Sequence, residues 1–233
     1  MFPFWGWDPT LILLLPAILL SLYAQAKVQS TFQHYLRVPS SSGLTGAAVA
    51  RQLLERSGIR EVRVEMIGRS LGDHYDPRSR VLRLSPEVYQ SSSLAALGVA
   101  AHEAGHAIQH FRGYLPLALR TAFVPVAQLG SNLAFPLLLF GLLLGLPPLV
   151  RFGVYAFVAV VLFQLITLPV EYNASGRALA LLEGGGYIRR QEIGAARKVL
   201  DAAALTYVAA ALMAVLNLVR LLLISGMLGG RDE

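Results

Sequence analysis

The sequence predicts a mainly α-helical integral membrane protein, with about four transmembrane helices and a small α+β part outside the bilayer. Three observations predict it. Hydrophobic residues fill 55% of the 233 positions and charged residues only 15%, where a soluble domain carries about 25% charge. The apolar residues gather in four stretches near the roughly 20 residues that a bilayer crossing requires. Between the first two stretches the pattern changes to short helical and alternating runs.

The first apolar stretch is 9–26, without an internal charge. The second is 121–146. The third is 149–170, interrupted only by Arg151 near its start. The fourth is 202–223, where Arg220 stands near the end and can snorkel to the interface. Pro147-Pro148 turns the chain between the second and third, making them a helical hairpin. Ala24-Gln25-Ala26 resembles a signal-peptidase site, so cleavage of the first stretch is the alternative to a retained anchor. Met1–Asp8 contains no Lys or Arg, and a positive n-region is therefore missing. The expected organisation is an anchor (1–26), a soluble α+β segment (27–120), a membrane hairpin (121–170), a short second soluble segment (171–201) and a last membrane helix with its tail (202–233). Of the 20 basic residues, 12 lie in 27–120 and 5 in 171–201. The positive-inside rule puts both segments in the cytoplasm.

Within the soluble part, Thr45 to Ser57 reads as a helix stopped by Gly58. Val62, Val64 and Met66 alternate with charged residues as a half-buried strand, and Val81-Leu82-Arg83-Leu84 reads as another. Gly72 to Pro77 between them reads as a turn-rich loop. A free strand edge here offers an extended peptide a place to add as a further strand. Leu179 to Leu200 is expected to hold a loop and a helix, broken at Gly184-Gly185-Gly186. The absence of cysteine excludes disulfides, thiolate metal sites and a cysteine nucleophile. The basic residues are dispersed and lack a stacking-aromatic pattern, which argues against nucleic acid as a partner.

The chemistry sits in His102-Glu103-Ala104-Gly105-His106, an HExxH motif in a helical setting. Ser91-Ser92-Ser93 offers N-caps, the run from Leu94 to Ala101 favours helix, and Gly113 is a stop after about Phe111. Residues four apart lie on one helix face, one turn apart. Two imidazoles so spaced can hold one Zn2+, and Glu103 between them can act as general base on zinc-bound water, whose pKa falls to about 7. Gly105 lets a second element or a substrate approach closely.

A catalytic zinc takes a third protein ligand and keeps one position open. His110 extends the spacing, but eight residues of helix rise about 12 Å while zinc–nitrogen bonds are about 2 Å. His110 is therefore read as a helix-end residue favoured by the dipole. His34, His74 and later acidic residues remain. Glu171 is the best of them, because the hairpin returns the chain to the face on which HExxH lies. The alternative is that Glu171 only marks the end of a span.

Asp73-His74-Tyr75-Asp76-Pro77-Arg78, Leu82-Arg83-Leu84-Ser85, the block from Gly98 to Gln109 and the block from Leu168 to Ser175 together resemble the YugP-like neutral zinc metallopeptidases, which are bacterial integral membrane proteins. The resemblance covers most of the chain. It implies a membrane zinc endopeptidase with a zincin-like catalytic part, one Zn2+ on His102 and His106, and Glu103 as base. It also implies the bacterial inner membrane as location, protein or peptide substrates, and a role in protein quality control. Similarity to HtpX-like proteases implies Glu171 as third ligand. Those proteases often carry an acidic residue four positions later to orient a ligand histidine. Ser175 stands there in this chain, with Asn173 as the substitute. An oxyanion donor is also needed, and His74 or Arg177 is the candidate. The alternatives are that His74 caps its own loop and that Arg177 pairs with lipid headgroups. Two other classes compete. A scaffold or chaperone-like adaptor with a structural zinc needs no base, and Glu103 speaks against it. A transporter is disfavoured because no ionisable residue stands mid-span.

Overall fold

A computed structural model describes residues 9–227. Seven α-helices and three strands are described. They are α1 (Leu15–Leu36, entered by a 3-10 turn Pro9–Leu14), α2 (Gly46–Arg56), β1 (Arg63–Met66), β2 (His74–Asp76), β3 (Val81–Leu84), α3 (Pro86–Gln90), α4 (Leu94–Phe111), α5 (Leu115–Leu143), α6 (Pro147–Gly184) and α7 (Ile193–Ile224). The architecture is mostly helical with a small mixed sheet. Four helical stretches, Pro9–Leu36, Leu115–Leu143, Pro147–Gly184 and Ile193–Ile224, are long and apolar enough to cross a membrane.

The membrane helices are longer than the apolar stretches that announce them. α1 continues to Leu36 and α7 starts at Ile193. The 38 residues of α6 extend about 57 Å, well beyond a hydrocarbon core of about 30 Å. Residues 171–184 therefore continue the helix beyond the apolar window that ends at 170. A charged residue ends an apolar window without ending a helix. Termination needs a residue that breaks the hydrogen-bond ladder, and α6 stops at Gly184, where three glycines begin.

The chain divides into two compact units. One takes residues up to Tyr23, Leu119–Thr167 and from Tyr207 onward. Its helices pack through small residues. A side chain at Gly130 would strike the Ala156 carbonyl, and one at Gly153 would lie 3.0 Å from the Ala134 carbonyl. Leu138, Val150 and Val154 are buried there against Leu218, Leu221 and Leu222. Large apolar side chains such as Phe135, Phe152, Leu129 and Tyr155 point outward, as a lipid-facing surface requires.

The other unit takes Ala24–Ala118 and Leu168–Thr206. Its core joins Val49, Leu53 and Leu54 of α2 and Leu82 and Leu84 of β3. Ala96, Leu97, Ala100 and Ala104 of α4, Leu182 of α6 and Val199 of α7 complete it. The sheet order is β1-β3-β2, with β1 parallel and β2 antiparallel to β3. The turn-rich reading of 72–77 is corrected by β2. His74, Tyr75 and Asp76 pair with Arg83, Leu82 and Val81. The turn lies one step later, where the Asp76 carboxylate accepts from the Arg78 N–H (2.9 Å) and the Ser79 hydroxyl (2.6 Å). These bonds hold the Asp76 carboxyl down at about 2, the Ser79 hydroxyl acting most strongly.

Local chemistry sets both ends of α4. Ser93 has extended backbone, and its hydroxyl accepts from the Ala96 N–H at 3.2 Å. At the far end Gly113 adopts φ +62°, and the Tyr114 N–H closes on the Gln109 carbonyl at 2.9 Å. Ser93→Ala removes the cap of a buried helix start. We expect a loss of about 1 kcal/mol, read as a lowered unfolding midpoint of the detergent-solubilised protein with its helicity unchanged.

Candidate metal centre

α4 and α6 build the centre. His102 and His106 stand one turn apart on α4, and Glu171 stands on α6. Their donor atoms form a triangle. His102 Nε2 lies 3.1 Å from His106 Nε2 and 3.2 Å from Glu171 Oε2, and His106 Nε2 lies 3.5 Å from Glu171 Oε2. A tetrahedral zinc with bonds of 2.0–2.1 Å separates its ligand atoms by about 3.3 Å. The triangle therefore matches one face of such a tetrahedron, and two imidazoles with one carboxylate form a donor set that suits zinc. The Glu171 side chain is 2% exposed, while His102 keeps 13% and His106 10%. Access to the triangle is thus from the histidine side.

α4 and α6 come this close because of Gly105. A Cβ on it would sit 2.9 Å from the Ala174 carbonyl oxygen. That contact is to α6 backbone, one turn beyond Glu171. The space anticipated beside Gly105 is filled by a second helix.

The outer faces of both imidazoles have partners. His102 Nδ1 lies 3.2 Å from Ser175 Oγ, and His106 Nδ1 lies 3.0 Å from Gln109 Oε1. Ser175, four residues after Glu171, is thus the side chain that meets a histidine. Asn173 reaches the histidines only through Gln109, whose Nε2 donates to Asn173 Oδ1 at 2.9 Å. Sequence reasoning missed Gln109. The available signal was its position three residues after His106, on the same face of an apolar helix, where a polar side chain must find partners.

Glu103 is buried. Its charge acts on two neighbours. Burial alone would push the His106 imidazole down, but the Glu171 carboxylate and the Glu103 charge outweigh this and hold it above its usual range. Burial pushes the Asp73 carboxyl up and the Glu103 charge adds to it, against hydrogen bonds from Ser85. Asp73, just before β2, accepts from the Ser85 N–H at 2.7 Å and the Ser85 hydroxyl at 3.0 Å. This ties the start of β2 to the end of β3.

The remaining sequence candidates are not among the donors of the triangle. His74 is exposed on β2, with Nδ1 2.7 Å from the Gly72 carbonyl. Arg177 donates from Nε to Asn173 Oδ1 at 2.7 Å and lies over the Tyr114 ring. His110 is exposed in the last turn of α4, 2.9 Å from the Tyr75 hydroxyl. His34 is exposed on α1.

The family model described as "Putative neutral zinc metallopeptidase" matches residues 10–226. The chain is 48% identical over 223 residues to "Putative membrane protease YugP" of Bacillus subtilis (strain 168), across 96% of this chain and 98% of that protein. No solved structure matches the chain significantly.

Gly105→Ala places a methyl group against the Ala174 carbonyl. We expect a cost of about 1–3 kcal/mol and a weakening of metal binding, because α6 must retreat with Glu171. Titration of the variant with zinc against a competing chelator checks this. Unchanged affinity would show that the helices do not set the triangle.

Proposed function

This chain belongs to the neutral zinc metallopeptidase family, and from that premise we propose that it is a membrane-embedded zinc endopeptidase. It hydrolyses peptide bonds of membrane-associated or misfolded proteins near the cytoplasmic surface. The observation that carries this reading is the 3.1–3.5 Å triangle of His102, His106 and Glu171 with buried Glu103 in the same motif.

In this reading His102, His106 and Glu171 hold one Zn2+, which when bound polarises the scissile carbonyl and acidifies water. Glu103 is the general base. It takes the proton of the attacking water and returns it to the departing amine nitrogen. The enclosure of Glu103 favours this shuttling, since a buried carboxylate exchanges its proton with what lies next to it rather than with bulk water. β2 is an edge strand, and no described strand pairs with its outer side. It also packs against α4. An extended peptide adding to that edge is held by main-chain hydrogen bonds. Of the two oxyanion candidates, His74 has its Nδ1–H on the Gly72 carbonyl and its Nε2 facing the Arg83 guanidinium, which can only donate. Arg177 is the oxyanion donor in this reading, since its terminal N–H groups remain after Nε serves Asn173.

The cytoplasmic orientation rests on charge. Seventeen of the 20 basic residues fall in 27–120 and 171–201.

Two measurements test these statements. Glu103→Gln should keep about one equivalent of zinc and lose peptide cleavage by about 10²–10⁴-fold. A variant that cleaves like the wild type ends the base assignment, and with it the preference for an enzyme over a structural-zinc scaffold. The chain lacks cysteine, so Glu55→Cys at an exposed position of α2 introduces one thiol. An impermeant maleimide should label it in inside-out vesicles and not in intact cells. Labelling from outside reverses the topology.

A further inference from the structure

Gln109 is fully buried, 0% exposed, between α4 and α6. Its amide makes three hydrogen bonds, and their direction can be deduced. The Val170 main-chain oxygen can only accept, so the group 2.9 Å from it must be the Gln109 NH2. Asn173 Oδ1, also 2.9 Å from that NH2, is fixed as an oxygen from its other side, because Arg177 Nε can only donate. Both amide protons are therefore used, and Gln109 Oε1 faces His106 Nδ1 at 3.0 Å. An amide oxygen cannot donate, so Nδ1 must carry the proton. In the neutral ring the lone pair of His106 then lies on Nε2, in the triangle with His102 and Glu171. Ser175 imposes no such order on His102, since a hydroxyl both donates and accepts.

We propose that Gln109 is the positioning residue of the metal centre: it locks His106 in the tautomer that presents Nε2 to the ion and, through Val170 and Asn173, pins the turn of α6 that carries Glu171. The proposal rests on the zinc reading above. One side chain thereby aligns ligands that come from two helices. Arg177 is the donor-only end of the relay and sets its polarity. A ligand histidine with its second nitrogen anchored keeps ring orientation and basicity, and loss of such an anchor typically weakens metal binding 10- to 100-fold.

The test uses the full-length protein in detergent with 15N-labelled histidines. In the metal-free wild type, at a pH high enough for the ring to be neutral, His106, assigned by substituting the other four histidines singly, should show a protonated Nδ1 and a bare Nε2. Gln109→Met matches the size and removes all three bonds. It should lose this tautomer preference and raise the zinc dissociation constant about 10- to 100-fold, with circular dichroism unchanged. A neutral His106 that carries its proton on Nε2 in the wild type overturns the proposal, and needs no variant to fold. Zinc affinity in Gln109→Met equal to wild type overturns it as well, while leaving the peptidase reading intact. Wild-type protein that binds no zinc removes both.

Discussion

The carboxylate of Glu171 is nearly sealed from water, and two imidazole nitrogens lie within 3.5 Å of it. A buried anion is costly unless positive charge compensates it. A neutral imidazole brings no positive charge and has a lone pair of its own to place. A divalent cation would answer both demands at once. The stiff α4, the small residues between α4 and α6, and the polar contacts behind each imidazole all follow from holding that crowded arrangement in place.

The polar groups form two layers with different roles. The inner layer converges on one point from two helices. The outer layer is Gln109, Asn173 and Arg177 behind His106, and Ser175 behind His102. Gln109, Asn173 and Arg177 are joined in a chain with donor-only and acceptor-only ends, which fixes which way its amides face. Asp73 and Ser85 play a comparable part at the sheet, fastening β2 to β3 beside α4.

Much of this was readable in the chain, for identifiable reasons. Ser93 and Gly113 bracket α4 because capping is local chemistry, and the same holds for Thr45 and Gly58 around α2. HExxH is legible because its geometry is that of a single helix turn. The helices run past the apolar windows at 26, 170 and 202, since hydropathy reports the surroundings of a helix and not its hydrogen bonds. β2 was hidden because three residues in a Gly/Asp/Pro-rich string become a strand only when β3 is there to pair with them. That Glu171 lies within reach of the histidines followed from topology. The partners of Gln109 could not be foreseen, because Val170 and Asn173 become its neighbours only once α4 and α6 are packed.

Gly105 has a consequence for how this chain can vary. Its neighbour on α6 is a carbonyl oxygen, an atom that every amino acid possesses. Trimming the residue at 174 therefore gains no room, and no exchange there can rescue a bulkier residue at 105. Random mutagenesis seeking a suppressor at that contact has nothing to find, and only a displacement of the whole helix could accommodate the change.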